Sequence, residues 1–120
     1  MAKHNILGNA GENAAIEYLL KKGYKILSRN KRYGYLEIDI IAEYEDILVF
    51  VEVKSRSGTY FEQPFQAVNF KKQKRIIKAA NIYIEENEIE LEARFDIISI
   101  IEKNGKFKIE HIEDAFYPRV

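Results

Sequence analysis

Glu37-Ile-Asp39-Ile-Ile-Ala42 and, after a short polar break, Ile47-Leu-Val-Phe-Val-Glu52-Val-Lys54 are the two runs that decide how this chain is read. Both are rich in β-branched and aromatic residues, the composition of strands. The second is apolar at both alternating positions, as expected of a central strand covered on its two faces. Asp39, Glu52 and Lys54 interrupt these runs, where a charge is expensive to bury unless something pairs with it. A two-residue loop, Glu45-Asp46, would fold the runs into a hairpin. That register sets Asp39 opposite Glu52 and Glu37 opposite Lys54, with all four side chains on one face.

The flanking sequence supplies the remaining elements. Residues 9–22 have helical spacing, with Ala14, Ala15, Tyr18 and Leu19 on one face and Gly23 as a stop. Strands are predicted over 24–30, 36–43 and 47–55, then a long helix from Pro64 to about Glu86. Two last strands, 93–102 and 106–112, flank Lys103-Asn104-Gly105, whose Asn-Gly is a hairpin signal. The order α-β-β-β-α-β-β gives an α/β protein with a mixed five-stranded sheet flanked by helices. No repeat, low-complexity tract or linker interrupts it, so residues 1–120 read as one domain.

Composition narrows the function classes. With 47% hydrophobic and 32% charged residues the chain is expected to fold into an ordered globule. Having no Cys, it has neither disulfides nor thiolate metal sites, and a reducing compartment is permitted. No apolar run is long enough for a membrane span and the N-terminal residues lack a signal-peptide core, so a cytoplasmic protein without a membrane partner is expected. A net charge of zero argues against coating nucleic acid by bulk charge, but allows local basic patches.

Two facing carboxylates repel, so either one takes up a proton or a cation lies between them. An oxygen donor set without His or Cys suits Mg²⁺ or Mn²⁺, with Asp39 and Glu52 as ligands and the Val53 carbonyl as a further one. Such an ion activates water and neutralises phosphate charge, and Lys54 would orient that water or stabilise the transition state. Glu12 falls near Ala15, Ile16 and Leu19 on the sheet side of its helix, suited to holding a water of the ion. The plainer alternative is a buried ion pair without catalytic use. Four ionisable groups on one face of apolar strands favour a site.

Other residues surround this cluster. Lys71, Lys74, Arg75 and Lys78 form one stripe of the long helix, opposite Phe70, Ile76, Ile77, Ala80, Tyr83 and Ile84. The stripe is either a phosphate-contacting face or a solvated one. Arg29, Lys31, Arg32 and Arg56 extend a basic rim, and Gln66 either positions a phosphate or is an exposed first-turn residue. Tyr33, Tyr35, Tyr60 and Phe61 could stack on bases, but packing is the commoner role of such aromatics. His4 and His111 read as incidental, and Arg94 with Asp96 as a structural ion pair.

Together these residues resemble the PD-(D/E)XK nuclease superfamily, and within it the Holliday-junction-resolvase-like and YraN-like predicted endonucleases. The likeness rests on Gly11-Glu12-x-Ala14, Glu37-Ile-Asp39-x-Ile41, Phe50-Val-Glu-Val-Lys54-x-Arg56, Val68 with Lys72 and Arg75, and Arg94-Phe-Asp96, and spans nearly the whole chain. Ile38 replaces the superfamily's Pro, and Leu36 stands where the family usually has Gly. The resemblance implies a restriction-endonuclease-like fold with Asp39, Glu52 and Lys54 at metal-ligand and catalytic positions and Glu12 as the helical acid. The implied activity is metal-dependent endonuclease hydrolysis of nucleic acid, DNA before RNA, directed at a branched or damaged structure. A single metal site per chain would need a homodimer to cut both strands of a duplex. The rivals are a non-catalytic nucleic-acid-binding module of the same fold and a structural or partner-binding protein.

Overall fold

The structure, a computed structural model, describes residues 3–57 and 68–118, with side chains at 9–56 and 68–118. Its elements are α1 (Lys3–Lys21), β1 (Lys25–Tyr33), β2 (Leu36–Tyr44), β3 (Ile47–Ser57), α2 (Phe70–Glu86), β4 (Glu92–Lys103) and β5 (Lys106–Phe116). This is the expected α-β-β-β-α-β-β order. The five strands form one sheet in the order β1-β2-β3-β4-β5, parallel between β3 and β4 and antiparallel elsewhere. The doubly apolar run is therefore the central strand. Val49, Phe50 and Val51 are buried on it without a break.

Turn chemistry fixes the hairpins. Asn104 and Gly105 both take positive φ (54° and 77°) between Lys103 and Lys106, the conformation that favours Asn-Gly in two-residue loops. Glu45 and Asp46 adopt the same left-handed region at 48° and 65° without a glycine, and bear the strain so that Tyr44 can pair with Ile47. β1 runs past Asn30, its expected end, to a third tight loop at Gly34-Tyr35. α1 ends in a Schellman arrangement: Gly23 at φ 94° lets the Tyr24 N–H reach the Leu19 carbonyl at 3.0 Å. α2 is shorter than predicted. Val68 and Asn69 are not helical, and the Asn69 side chain accepts from the Lys72 N–H at 2.9 Å as the N-cap. Pro64 lies outside the described residues.

A helix covers each face of the sheet. Ala15, Leu19 and Tyr24, in and just after α1, pack on Ile40, Ala42, Val49, Val51, Ile98 and Ile100. Gly11 is the close approach, since a Cβ there would stand 2.0 Å from Ser55 Oγ. Ile76, Ala79 and Ala80 of α2 pack on Leu36, Ile38, Ile41, Leu48, Phe50, Phe95 and Ile97. Strand alternation breaks within β2, because Ile38 belongs to the α2 layer and Ile40 to the α1 layer. Two observations accompany the break. Asn30, on the neighbouring strand between the pairs Arg29↔Ile40 and Lys31↔Ile38, has φ 53°. The β2–β3 ladder also ends at Ile40↔Val51. The hairpin thus has the expected register as far as Ile40, and Glu37 does not reach Lys54. It pairs across to β1 instead, at 2.8 Å from Arg32.

Arg94 and Asp96 form the expected ion pair, joined through two hydrogen bonds at 2.9 and 2.8 Å. Asp96 is fully buried and also meets His111 Nε2 at 2.7 Å and the Asp114 N–H at 3.0 Å. Tyr24 Oη accepts from Arg94, and Tyr18 Oη meets His111 Nδ1. His111 is therefore not incidental; it closes a polar network between α1, β4 and β5. Burial works to raise the Asp96 pKa, but the hydrogen bonds from His111, Arg94 and Asp114 outweigh it and hold the carboxyl below its ordinary value. Removing this acid leaves Arg94 and His111 facing a buried gap, and breaking a buried pair costs about 3–5 kcal/mol. Asp96→Ala is expected to lower the urea midpoint by the equivalent of that loss without changing the m-value. An unchanged midpoint would mean that the network adds nothing to stability.

Candidate functional site

Where β2 parts from β3, the backbone leaves the Val53 N–H without a ladder partner on that side, and Asp39 supplies one. Its Oδ2 accepts from Val53 N at 2.8 Å. The Glu52 side chain, only 4% exposed, lies close enough to share a hydrogen bond with the Asp39 carboxyl. These two acids form the floor of a cleft of about 430 Å³, walled by Tyr35, Leu36 and Glu37 on one side and Asn69, Lys71, Lys72, Arg75 and Ile76 of α2 and its cap on the other.

The electrostatics follow from burial. Desolvation, then the hydrogen bond and charge of Glu52, push the Asp39 pKa up to about 8, against the smaller opposing effects of the Val53 N–H and Lys72. Lys72 makes an ion pair with Glu52 Oε2, yet no hydrogen bond of good geometry reaches that buried oxygen. Desolvation works to lower the Lys72 pKa, but the charges of Glu52, Asp39 and Glu37 outweigh it and hold the ammonium above its usual range. The pair is thus a proton-sharing acid dyad. That chemistry fits a hard cation, which would bind through Asp39 and Glu52 and complete its shell with water, as Mg²⁺ commonly does. Among the described residues no three His, Asp or Glu side chains converge to enclose an ion.

The structure gathers some of the sequence-selected residues and disperses others. Asp39, Glu52, Glu37, Lys71 and Arg75 share the cleft. Val53 contributes its N–H to Asp39. Lys54 is half-buried further along β3 and is not part of the cleft wall, and Arg56 lies beyond it beside Ile101 of β4. Glu12 is on α1, where its carboxylate accepts from Arg29 Nε at 2.8 Å, away from the cleft wall. The basic stripe of α2 divides. Lys71 and Arg75 face the acids, while Lys74 and Lys78 border a second groove with Phe70, Ile77 and Tyr117. Phe70, expected on the buried face, is 45% exposed with Lys74 Nζ 4.6 Å from its ring centre. Gln66 lies outside the described residues.

Lys72 is the residue that strand-based reasoning passed over. Its signal was in the sequence, since it stands four residues before Ile76 and so leans toward the buried face of α2.

The uncharacterised protein family UPF0102 matches residues 11–100. The chain belongs to that family. A UPF0102 protein of Bacteroides thetaiotaomicron is 53% identical over 118 residues, covering 98% of both chains. Another, from Flavobacterium psychrophilum, is 50% identical over 117 residues with the same coverage. A solved structure described as Pyrococcus furiosus SfsA in complex with Ca²⁺ has 16% identity and a TM-score of 0.35. It spans 92% of this chain, which covers 63% of that one, a likeness too slight to carry an argument. Among the described residues of this UPF0102 protein no helix is long and apolar enough to cross a membrane.

The raised Asp39 pKa has a definite pH consequence. The folded chain holds a proton there between the ordinary 3.8 and about 8, where the unfolded chain has lost it. Stability from this group is therefore present at low pH and declines as pH rises through that window. In EDTA, the Tm difference between wild type and Asp39→Asn is expected to move against wild type as pH increases; with Mn²⁺ in place of EDTA, the wild-type Tm is expected to rise most at the alkaline end. A difference that does not vary with pH would show that the dyad does not titrate.

Proposed function

We propose that this UPF0102 protein is a metal-dependent endonuclease of the PD-(D/E)XK type, hydrolysing phosphodiester bonds of nucleic acid, DNA before RNA. The observation that carries this reading is the Asp39–Glu52 dyad in a cleft walled by Lys71, Lys72 and Arg75. Two acids that resist joint ionisation, next to three cations, suit a divalent ion and a phosphate better than they suit a packed core. When bound, Mg²⁺ or Mn²⁺ supplies Lewis acidity toward the phosphate and the attacking water. The chain's own residues do the rest. Asp39 and Glu52 fix the ion, with the Val53 N–H holding the Asp39 carboxylate in place. Lys71 and Arg75 draw the phosphate backbone into the cleft. Two lysines compete for the role of stabilising the transition state: Lys54, named by the superfamily pattern, and Lys72, which touches the dyad. One ion site per chain means that cutting both strands of a duplex calls for a homodimer.

A second reading has its own support. Lys72 already offsets the charge of Glu52, and among the described residues no three acids or histidines group to hold an ion. A nucleic-acid-binding module that has the fold without turnover would look the same.

Cleavage of labelled duplex, single-stranded and branched DNA with Mg²⁺ or Mn²⁺ separates the two. Wild type is expected to cut, Asp39→Asn and Glu52→Gln to lose at least about a hundredfold in rate, and whichever of Lys54→Ala or Lys72→Ala loses more to identify the catalytic lysine. If wild type cuts nothing with either ion, or the acid variants cut as fast, the enzyme reading fails. Retardation of DNA in gels that is abolished by Lys71→Glu with Arg75→Glu would then support the binding module.

A further inference from the structure

The cleft has one wall that catalysis at the dyad does not require. The β1–β2 hairpin closes with Gly34 at φ 62°, a left-handed turn that carries the chain directly into Tyr35 at the tip. Tyr35 is 76% exposed, so core packing is not what selects it. Leu20, Phe70, Phe107 and Tyr117 are also large, apolar and exposed, yet Tyr35 alone of these five lines the cleft with Asp39 and Glu52. Its ring centre is 5.8 Å from the Arg75 guanidinium carbon, a cation–π contact that orients the ring against the basic wall of α2.

An exposed, oriented aromatic ring beside Arg75 and Lys71 offers a flat surface and a phosphate contact at once. In a continuous duplex each base is already stacked on its neighbours. An unpaired base can lie on a protein ring while its phosphate meets cations without first being unpaired and flipped out of a duplex, so it binds there at the least cost. The cleft volume of about 430 Å³ lies within the range of sites that take small ligands. We infer that Tyr35 is a stacking platform for an unpaired base adjoining the scissile phosphate, so that the preferred substrate carries a single-stranded segment at the cut. This rests on the nucleic-acid reading of the cleft given above.

The chain has no Trp, so Tyr35→Trp introduces a single indole as a reporter. In EDTA, titrating this variant with a single-stranded oligonucleotide is expected to quench indole emission, and a blunt duplex of the same sequence to leave it nearly unchanged. In parallel anisotropy titrations, Tyr35→Phe and Tyr35→Trp should keep single-strand affinity within about twofold. Tyr35→Ala, checked for folding by circular dichroism, should weaken it about tenfold more than duplex affinity. Equal quenching by both forms, no quenching by bound single strand, or an equal loss on both forms in Tyr35→Ala would overturn the inference. If wild type still cuts in an Asp39-dependent way under any of those results, only the role of Tyr35 falls. If wild type neither binds nor cuts any nucleic acid, the proposed function falls with it.

Discussion

Asp39 and Glu52 meet inside a sheet where ionising both is costly, and the surrounding structure is arranged to hold them there. The Val53 N–H fixes one carboxyl, Lys72 faces the other, and a proton is retained on the pair. Such a site is poor at stabilising the fold, because each buried charge needs a partner that an apolar pair would not. β2 pairs with β3 only from Ile40 onward, and the unpaired residues before it open the space into which the acids project. Regular pairing back to Leu36, the start of β2, would have closed that space with backbone hydrogen bonds.

A second polar centre lies beside this local opening. On the α1 side of the sheet Asp96, next to Val51 on the parallel strand, gathers Arg94, His111 and the Asp114 N–H. Val51 is the last β3 residue still paired to β2, one position before Glu52. The network therefore ties β4 to β5 and to the α1 end beside the point where β2 departs. A register shift occurs between Phe95 and Ile97, and Asp114 takes φ 53° on the facing strand, which turns its N–H toward the buried acid. Two acid centres thus lie close together along the sheet, one a charged network around Asp96 and the other a dyad that retains a proton. The dyad is the candidate for chemistry, since an ion shared by its two carboxylates would take the place of the retained proton.

The division of α2 has a similar cause. Its first two turns carry four cations on a helix that must also bury Ile76, Ala79 and Ala80. Residues one apart point about 100° from each other, so such a dense run cannot present a single face. Lys72 is drawn to Glu52, Lys71 and Arg75 line the cleft, and Lys74 lies over Phe70. A helix wheel shows the charges but not which flank meets the acids, because that depends on where α2 crosses the sheet.

Much was legible because it was local. Period-two and period-3.6 patterns, the Asn104-Gly105 turn and the doubly apolar β3 run are decided by residues within a few positions of one another. They were enough for the order of elements, the central strand and the hairpin register as far as Ile40. That register would set Asp39 opposite Glu52; the ladder stops one pair short, and the two acids meet through their side chains instead. What distance along the chain concealed was decided only by tertiary structure. Lys72 reaches Glu52 from a helix twenty residues away, Glu12 is held by Arg29 rather than by the cleft, and His111 is recruited by Asp96 and Tyr18. Sequence by itself determined which groups are costly to bury. Folding determined which partner each one found, because pairing in a low dielectric depends on separation in space and not on separation along the chain.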